Sequence, residues 1–330
     1  MHRTIKENIQ TLLAGQLSTW ELAKLNYKAL EAVRTKEFQI NNANERVQFN
    51  PARILSSAAK VDATSIRERK CFLCTANRPA IQQRILFGEK YQILVNPYPI
   101  FPQHLTIPDV VHLDQRIEGR FNDMLDLAEA IDNFVIFYNG PQCGASAPDH
   151  AHFQAGNKGF LPIESEWKAY RKEEIKTTVH ASIQVLNSYP RTALIIEATH
   201  KQEANRLFEC IYKEASRISS MANATHPIEP MMNILTWKEA EKWITVVFLR
   251  SKHRPSCFTE QGENNLLISP ASVDLGGVWI TPQEKDFEKI TAETIHRIIE
   301  EVCLPTDDFL QLIERIKGTK SLFKFYSITS

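Results

Sequence analysis

The chain has 330 residues, with 39 Lys and Arg against 39 Asp and Glu, so its formal net charge is zero. That balance argues against a general nucleic-acid or polyanion binder, which carries excess cations, yet leaves room for a small anionic ligand held by a local cluster. With 43% hydrophobic and 24% charged residues the sequence is an ordinary globular mixture for one or two domains, which excludes wholesale disorder.

Residues 4 to about 34 read as helical. Leu12, Leu13, Trp20, Leu22, Leu25, Leu30 and Val33 recur at near-helical spacing, with a break near Gly15 and a cap at Ser18 or Thr19. Strands are expected over 37–40 and 46–49 across the Asn-rich turn 41–44, then over 91–96 and 105–108 on either side of a Pro-rich connection. A helix over about 117–131, a strand over 134–138, a loop over 139–146 and a short strand over 151–155 complete the first half. The second half follows the same order. It has a strand over 193–197, a helix from 201 to about 221 and an antiparallel pair over 231–237 and 243–249. Strands over 265–269 and 277–280 come next, then helices over about 284–301 and 306–316. The recurrence implies two α+β halves, 1–165 and 166–330, as distant copies of one unit.

No segment reaches the roughly 18 apolar residues that span a bilayer, and the N-terminal stretch lacks the apolar centre of a secretory leader. The expectation is a cytoplasmic protein without a membrane partner. Six cysteines in a chain of this length are too sparse for a disulfide scaffold.

Two short motifs carry chemistry. His150-x-His152-x-Gln154 places two imidazoles and an amide on one face if it lies in a strand, just after the Gly-bearing loop 140–146. An imidazole is a nucleophile when its other nitrogen is held by a hydrogen bond, and an amide donates to phosphoryl oxygens. Two histidines on a surface strand beside a turn would look the same. Cys71-x-x-Cys74 has the bite of a zinc knuckle, which needs two more ligands from among His104, His112 and His150. A buried pair of small apolar side chains or a redox pair are the other readings. Further on, Arg250-Ser-Lys252-His253-Arg254 gathers four basic side chains after a strand, with the Asp274-Leu-Gly-Gly277 turn nearby. Lys252 and Arg254 are candidates to clamp an outer phosphate, and Arg53 is a further candidate phosphate contact. His180, His200, His226 and His296 lack partner patterns, and Cys210 and Cys303 fall on apolar helix positions.

These residues resemble a family. Arg46-Val-Gln-Phe-Asn-Pro-Ala-Arg53, the Cys71/Cys74 pair, Pro102-Gln-His104-Leu-Thr-Ile-Pro108 with His112, and Gly144-Ala-Ser146 through His150-x-His152-x-Gln154 occur in the order of the histidine-triad superfamily. The resemblance is to its transferase branch, which includes galactose-1-phosphate uridylyltransferase, diadenosine tetraphosphate phosphorylase and GDP-hexose phosphorylases. It implies a histidine-triad-like α+β fold, two related halves with antiparallel sheets flanked by helices. It also implies a nucleotidyltransferase or phosphorylase acting on a nucleoside diphosphate sugar or a dinucleoside polyphosphate. The acceptor would be inorganic phosphate or a sugar phosphate. His152 would form a covalent nucleotidyl-histidine, and Gln154, Ser146 and Asn139 would hold phosphoryl oxygens. Structural zinc would be held by Cys71, Cys74, His112 and His150, with His104 as the substitute for His112. Asp149 lengthens the step from Ser146 to His150 by one residue relative to the uridylyltransferases. The alternatives are a nucleotide hydrolase of the same superfamily and a non-catalytic zinc-dependent nucleotide-binding regulator. Either a monomer or a homodimer suits the fused halves.

Overall fold

The computed structural model describes residues 3–220 and 229–319; Met221, at the expected end of one helix, and His226 lie outside them. Helix Ile5–Thr19 opens with a capping box in which Thr4 Oγ1 accepts from Glu7 N and Glu7 Oε2 accepts from Thr4 N. The helical stretch breaks at Trp20, not at Gly15. Trp20 is extended and its indole is buried, whereas the Ser18 and Thr19 hydroxyls donate back to Gly15 O and close the helix instead of capping the next one. Helix Glu21–Leu30 follows.

Strands β1 (Arg34–Ile40) and β2 (Ala43–Phe49) form a hairpin whose turn is only Asn41-Asn42, both with positive φ. Then come β3 (Ile85–Phe87), β4 (Tyr91–Val95), β5 (His104–Pro108), helix Phe121–Ala130, β6 (Phe134–Asn139) and β7 (His152–Asn157). The second half holds β8 (Arg171–Thr177), β9 (Ala181–Leu186), β10 (Ala193–Ala198), helix Lys201–Ala215, β11 (Met232–Glu239), β12 (Lys242–Leu249) and β13 (Val278–Thr281). The expected strand over 265–269 is irregular. Its backbone is satisfied by Asp286 Oδ2 at Leu267 N and by Cys257 O at Leu266 N, so no ladder forms.

Ten strands make one sheet in the order β3-β4-β5-β7-β6-β11-β12-β10-β9-β8. Counted from either edge, the chain order is the same, and each half has its helix between the third and fourth strands. The two related halves of the expected α+β fold are thus visible as a pseudo-twofold that passes between β6 and β11, paired from Asn139↔Asn233 to Ile136↔Thr236. The halves differ at one connection. β11 and β12 are joined by the tight turn Ala240-Glu241, whereas β6 and β7 are joined by the long loop 140–151.

Side chains alternate across this sheet. Phe134, Ile136, Tyr138, Met232 and Ile234 pack under helices Phe121–Ala130 and Lys201–Ala215, where Phe121 stacks on Phe208 at 4.1 Å. Val135, Phe137, Leu235 and Trp237 face the other way, toward a smaller sheet in which β13 pairs parallel to β2. A buried ion pair ties that smaller sheet down: Arg191 holds Glu45, whose other oxygen accepts from Trp279 Nε1 at 2.7 Å.

Because both charges are fully buried, removing one strands the other. Glu45→Ala is expected to cost about 3–5 kcal/mol in urea unfolding, and Glu45→Leu with Arg191→Met distinctly less. If Glu45→Ala unfolds at the wild-type urea concentration, the pair does not anchor this layer.

Candidate active site

A cavity of about 460 Å³ opens between the large sheet and the hairpin layer, within the range of small-molecule sites. His152 and Gln154, two apart on β7, both line it. His150 does not. It precedes the strand in a turn, so the expected common face holds one imidazole and the amide, and the other imidazole turns to a different site.

His152 is buried, and its Nδ1 lies 2.7 Å from His150 O. A carbonyl can only accept, so Nδ1 carries the proton and Nε2 presents a lone pair. Burial pushes the ring down to about 4 against the opposing hydrogen bond to His150 O, so it is neutral near pH 7.

Gln154 is oriented by a chain of the same logic. Ile100 N donates to His104 Nδ1 at 3.1 Å, so His104 must carry its proton on Nε2 and donate it to Gln154 Oε1 at 3.1 Å. Burial drives His104 down to about 3, which keeps it in that neutral form. With Oε1 occupied, the Gln154 amide offers its N–H groups to the cavity. Asn139 repeats the arrangement: its Oδ1 accepts from Ser272 N, Ser272 Oγ and Asn233 Nδ2 at 2.7–2.9 Å, leaving Nδ2 as the free donor of a residue that lines the cavity. Ser146 is brought to the same wall by Gly144. Gly144 has φ +88° and lies so close to Ala271 that a Cβ would sit 2.7 Å from the alanine methyl.

Cations line the same cavity. Arg53 donates to Tyr98 O at 2.8 Å, and Arg254 to Ala59 O at 2.9 Å and Ser269 Oγ at 3.2 Å. Among the described residues no carboxylate forms an ion pair with either. Burial lowers both guanidiniums, Arg53 to about 10 with Asp274 opposing the shift. The expected role of Lys252 does not fit this geometry. Arg250, wholly buried, donates to the carbonyls of Lys252 and His253 at 2.9 and 2.7 Å, and so turns the loop. His253 and Arg254 then face the cavity, while Lys252 points outward to pair with Glu301. His253 Nε2 is enclosed without a hydrogen-bond partner. Beyond His253 and Arg254 a second, shallower chamber of about 430 Å³ adjoins the first, walled by Lys60, Phe258 and Leu267.

Behind the cavity, Cys71, Cys74, His112 and His150 bring one donor atom each within 4.8 Å of one another. His150 Nδ1 is 3.3 Å from Cys71 Sγ and 3.6 Å from Cys74 Sγ, and His112 Nδ1 is 3.2 Å from Cys74 Sγ. His150 Nε2 donates to Asp109 O at 2.9 Å, which frees Nδ1 to coordinate. Two sulfurs and two imidazole nitrogens converging on one point fit a tetrahedral metal ion. Burial acts to raise the Cys71 thiol, but His150 and the backbone N–H groups of Leu73 and Cys74 bring it down to about 6. Burial and the nearby Cys71 sulfur push Cys74 up to about 11. His104 is not in the cluster. The additional residue Asp149 is accommodated by pairing with Arg69, its other oxygen 4.0 Å from His112 Nε2.

Sequence patterns missed two contributors: Asn96, whose Nδ2 reaches Thr106 Oγ1 at 3.0 Å and Gln154 Oε1 at 3.4 Å, and Gln115, which bonds the His152 backbone. His253 lay inside the basic run and was legible there; neither amide belongs to any motif.

The purified protein is expected to carry one divalent metal ion per chain by elemental analysis, and Cys71→Ser or His112→Ala to lose it with a lower Tm. Full metal retention in both variants would rule this cluster out.

Residues 12–157 match the family described as Domain of unknown function (DUF4922), and residues 166–322 match GDPGP1-like, C-terminal domain. No curated protein matches the sequence. The fold is that of yeast Ap4A phosphorylase Apa2, at TM-score 0.59 and 16% identity over 92% of this chain and 96% of that chain. The same protein in complex with Ap4A gives TM-score 0.58 at 14% identity (92% and 99% covered), and in complex with AMP 0.55 at 16% (92% and 98%). The chain thus shares its fold with Apa2 and carries a C-terminal half similar to the GDPGP1-like C-terminal domain.

Proposed function

We propose that the protein is a nucleotidyltransferase or phosphorylase that works through a nucleotidyl-His152 intermediate. The observation that carries this reading is the His152 Nε2 lone pair on a residue that lines the same cavity as two guanidiniums, neither of which forms an ion pair with a carboxylate among the described residues. A nucleoside diphosphate sugar or dinucleoside polyphosphate binds with its phosphates in this cavity. His152 Nε2 attacks the α-phosphorus: the N–P bond forms, the bridging P–O bond breaks, and the leaving phosphate compound departs with the electron pair. The Gln154 and Asn139 amides and the Ser146 hydroxyl donate to the non-bridging oxygens as charge develops there. Inorganic phosphate or a sugar phosphate then attacks the same phosphorus, the N–P bond breaks, and His152 returns to its neutral form.

Arg53, Arg254 and His253 hold the outer phosphate, and the side chamber takes the rest of the leaving group. Residues 1–165 supply the nucleophile and Arg53, and residues 166–330 supply His253 and Arg254. The resemblance of Apa2, described in complex with Ap4A, supports a dinucleoside polyphosphate among the donors. Cys71, Cys74, His112 and His150 suit structural zinc, which when bound supplies rigidity and no chemistry. The six free thiols favour a reducing compartment and hence the cytoplasm.

Intact-protein mass spectrometry after mixing with Ap4A, ADP-glucose and GDP-mannose is expected to show one added nucleotidyl group with at least one donor, absent in His152→Ala. With labelled phosphate the product is expected to be the labelled nucleoside diphosphate. Release of unlabelled monophosphate at the same rate would mean water is the acceptor, and binding without any adduct would leave a regulator.

A further inference from the structure

The residue that carries the nucleophile has no ordinary strand neighbour. On the β5 side His152 is opposite Pro108, but the bond there runs from Asp109 N to Ala151 O, so the His152 backbone N–H and C=O point toward β6. On the β6 side the register that pairs Phe134↔Asn157 and Phe137↔Gln154 would bring Asn139 opposite His152, but the ladder stops at Phe137↔Gln154. The primary amide of Gln115 fills the gap. Its Oε1 accepts from His152 N at 2.8 Å, and its Nε2 donates to His152 O and Asn139 O, both at 3.0 Å. Gln115 is entirely buried.

We propose that Gln115 is a positioning residue for His152, its amide acting as an inserted peptide group that holds β6 and β7 apart at the catalytic end. The proposal rests on the reading of His152 as nucleophile. A direct ladder would close Asn139 against His152, whereas the inserted amide lets both line the cavity. It satisfies the donor and the acceptor of the His152 backbone together, which a carboxylate or an aliphatic chain cannot do. Gln115 is itself held on both sides. Its backbone N donates to Pro148 O at 3.0 Å, and Ala151 N donates to Leu113 O at 2.6 Å. Ile117 N donates to Glu229 Oε2 at 2.8 Å. His112, three residues before it, belongs to the Cys–His cluster. The 112–117 segment therefore joins the cluster to the nucleophile by a second route, besides the chain from His150 to His152.

The test compares Gln115→Glu, which keeps the shape and loses the N–H donors, with Gln115→Leu. In either folded variant, kcat for phosphorolysis is expected to fall by about 100-fold, the scale of a small misplacement of a reacting group, while KM for the donor stays within a few-fold. In ¹⁵N-histidine spectra, assigned with His152→Ala, the wild-type His152 ring should show the single Nδ1–H tautomer, and the variants a mixture. Hydrogen exchange in the wild-type protein needs no variant to fold: the His152 amide should be as protected as the centre of β7. Wild-type kcat with an unchanged tautomer in both variants, or a His152 amide that exchanges like an open loop, overturns the proposal. If the wild type makes no adduct with any donor, the nucleophile reading fails, and the tautomer and exchange measurements still decide Gln115.

Discussion

One carbonyl oxygen sets the chemistry of this protein. His150 O accepts the Nδ1 proton of His152, while the ring of the same His150 turns its own Nδ1 to Cys71 and Cys74. A single residue therefore fixes the tautomer of His152, the proposed nucleophile, with its backbone and joins the Cys–His cluster with its side chain. Anything that rotates His150 displaces both. This coupling gives a physical reason for a rigid cluster so close to a site whose own residues need no metal for acid–base work. A nucleophile gains most when its approach is fixed before substrate arrives, and a tetrahedral clamp one residue removed is a compact way to fix it.

The pseudo-twofold explains why there is one such site and not two. Both halves follow the same strand order, so each has a place where the fourth strand feeds the fifth. In the first half the connection is the long loop 140–151, which carries Ser146, His150 and the start of β7. In the second half it is the turn Ala240-Glu241, with no room for a motif. The second half contributes differently, through the loop after β12. There Arg250, bonded to Asn233 Oδ1 at 3.1 Å and to Pro270 O at 2.6 Å, aims His253 and Arg254 at the first half's cavity. Asn233 in turn donates to Asn139, so the pseudo-axis is also where the halves share a polar network.

The elements legible in the sequence were those whose pattern reports burial directly. The mostly apolar β6 and β12 read correctly, as did the existence of the amphipathic helix Lys201–Ala215 and of the hairpin, although the helix ends before the expected 221 and the turn is shorter than 41–44. Strand β8 did not, because Arg171-Lys-Glu-Glu-Ile-Lys-Thr177 is a charged edge, a composition that protects a sheet margin and hides it from a hydrophobic-period reading. The helix Pro162–Tyr170 was missed because it buries only Ile163 and Trp167. At the site, motif residues were legible because their types and spacing carry the chemistry. Lys252 was misplaced because alternate residues of an irregular loop do not share a face, and its direction was decided by a buried arginine that a sequence reading treats as one more positive charge. Gln115 and Asn96 act through geometry alone, and an amide with no motif around it gives no signal.

The electrostatics close the argument about net charge. Zero overall charge argues against a broad anionic partner, yet the cavity is lined by Arg53 and Arg254, with no ion-paired carboxylate among the described residues, and by the enclosed imidazole of His253. Burial disfavours those cations, as the lowered Arg53 shows, so the empty cavity is the less favourable state for them. Asp274, which also lines the cavity, offsets only part of this for Arg53. It is buried and raised to about 6, its oxygens accepting from Ala271 N and Ile280 N. A phosphate chain entering the cavity supplies the missing negative charge at a place where water screens it poorly. In the proposed function the two guanidiniums select polyanionic ends of small molecules, while the apolar and aromatic side chains of the lining leave the remainder of the ligand to be chosen by shape.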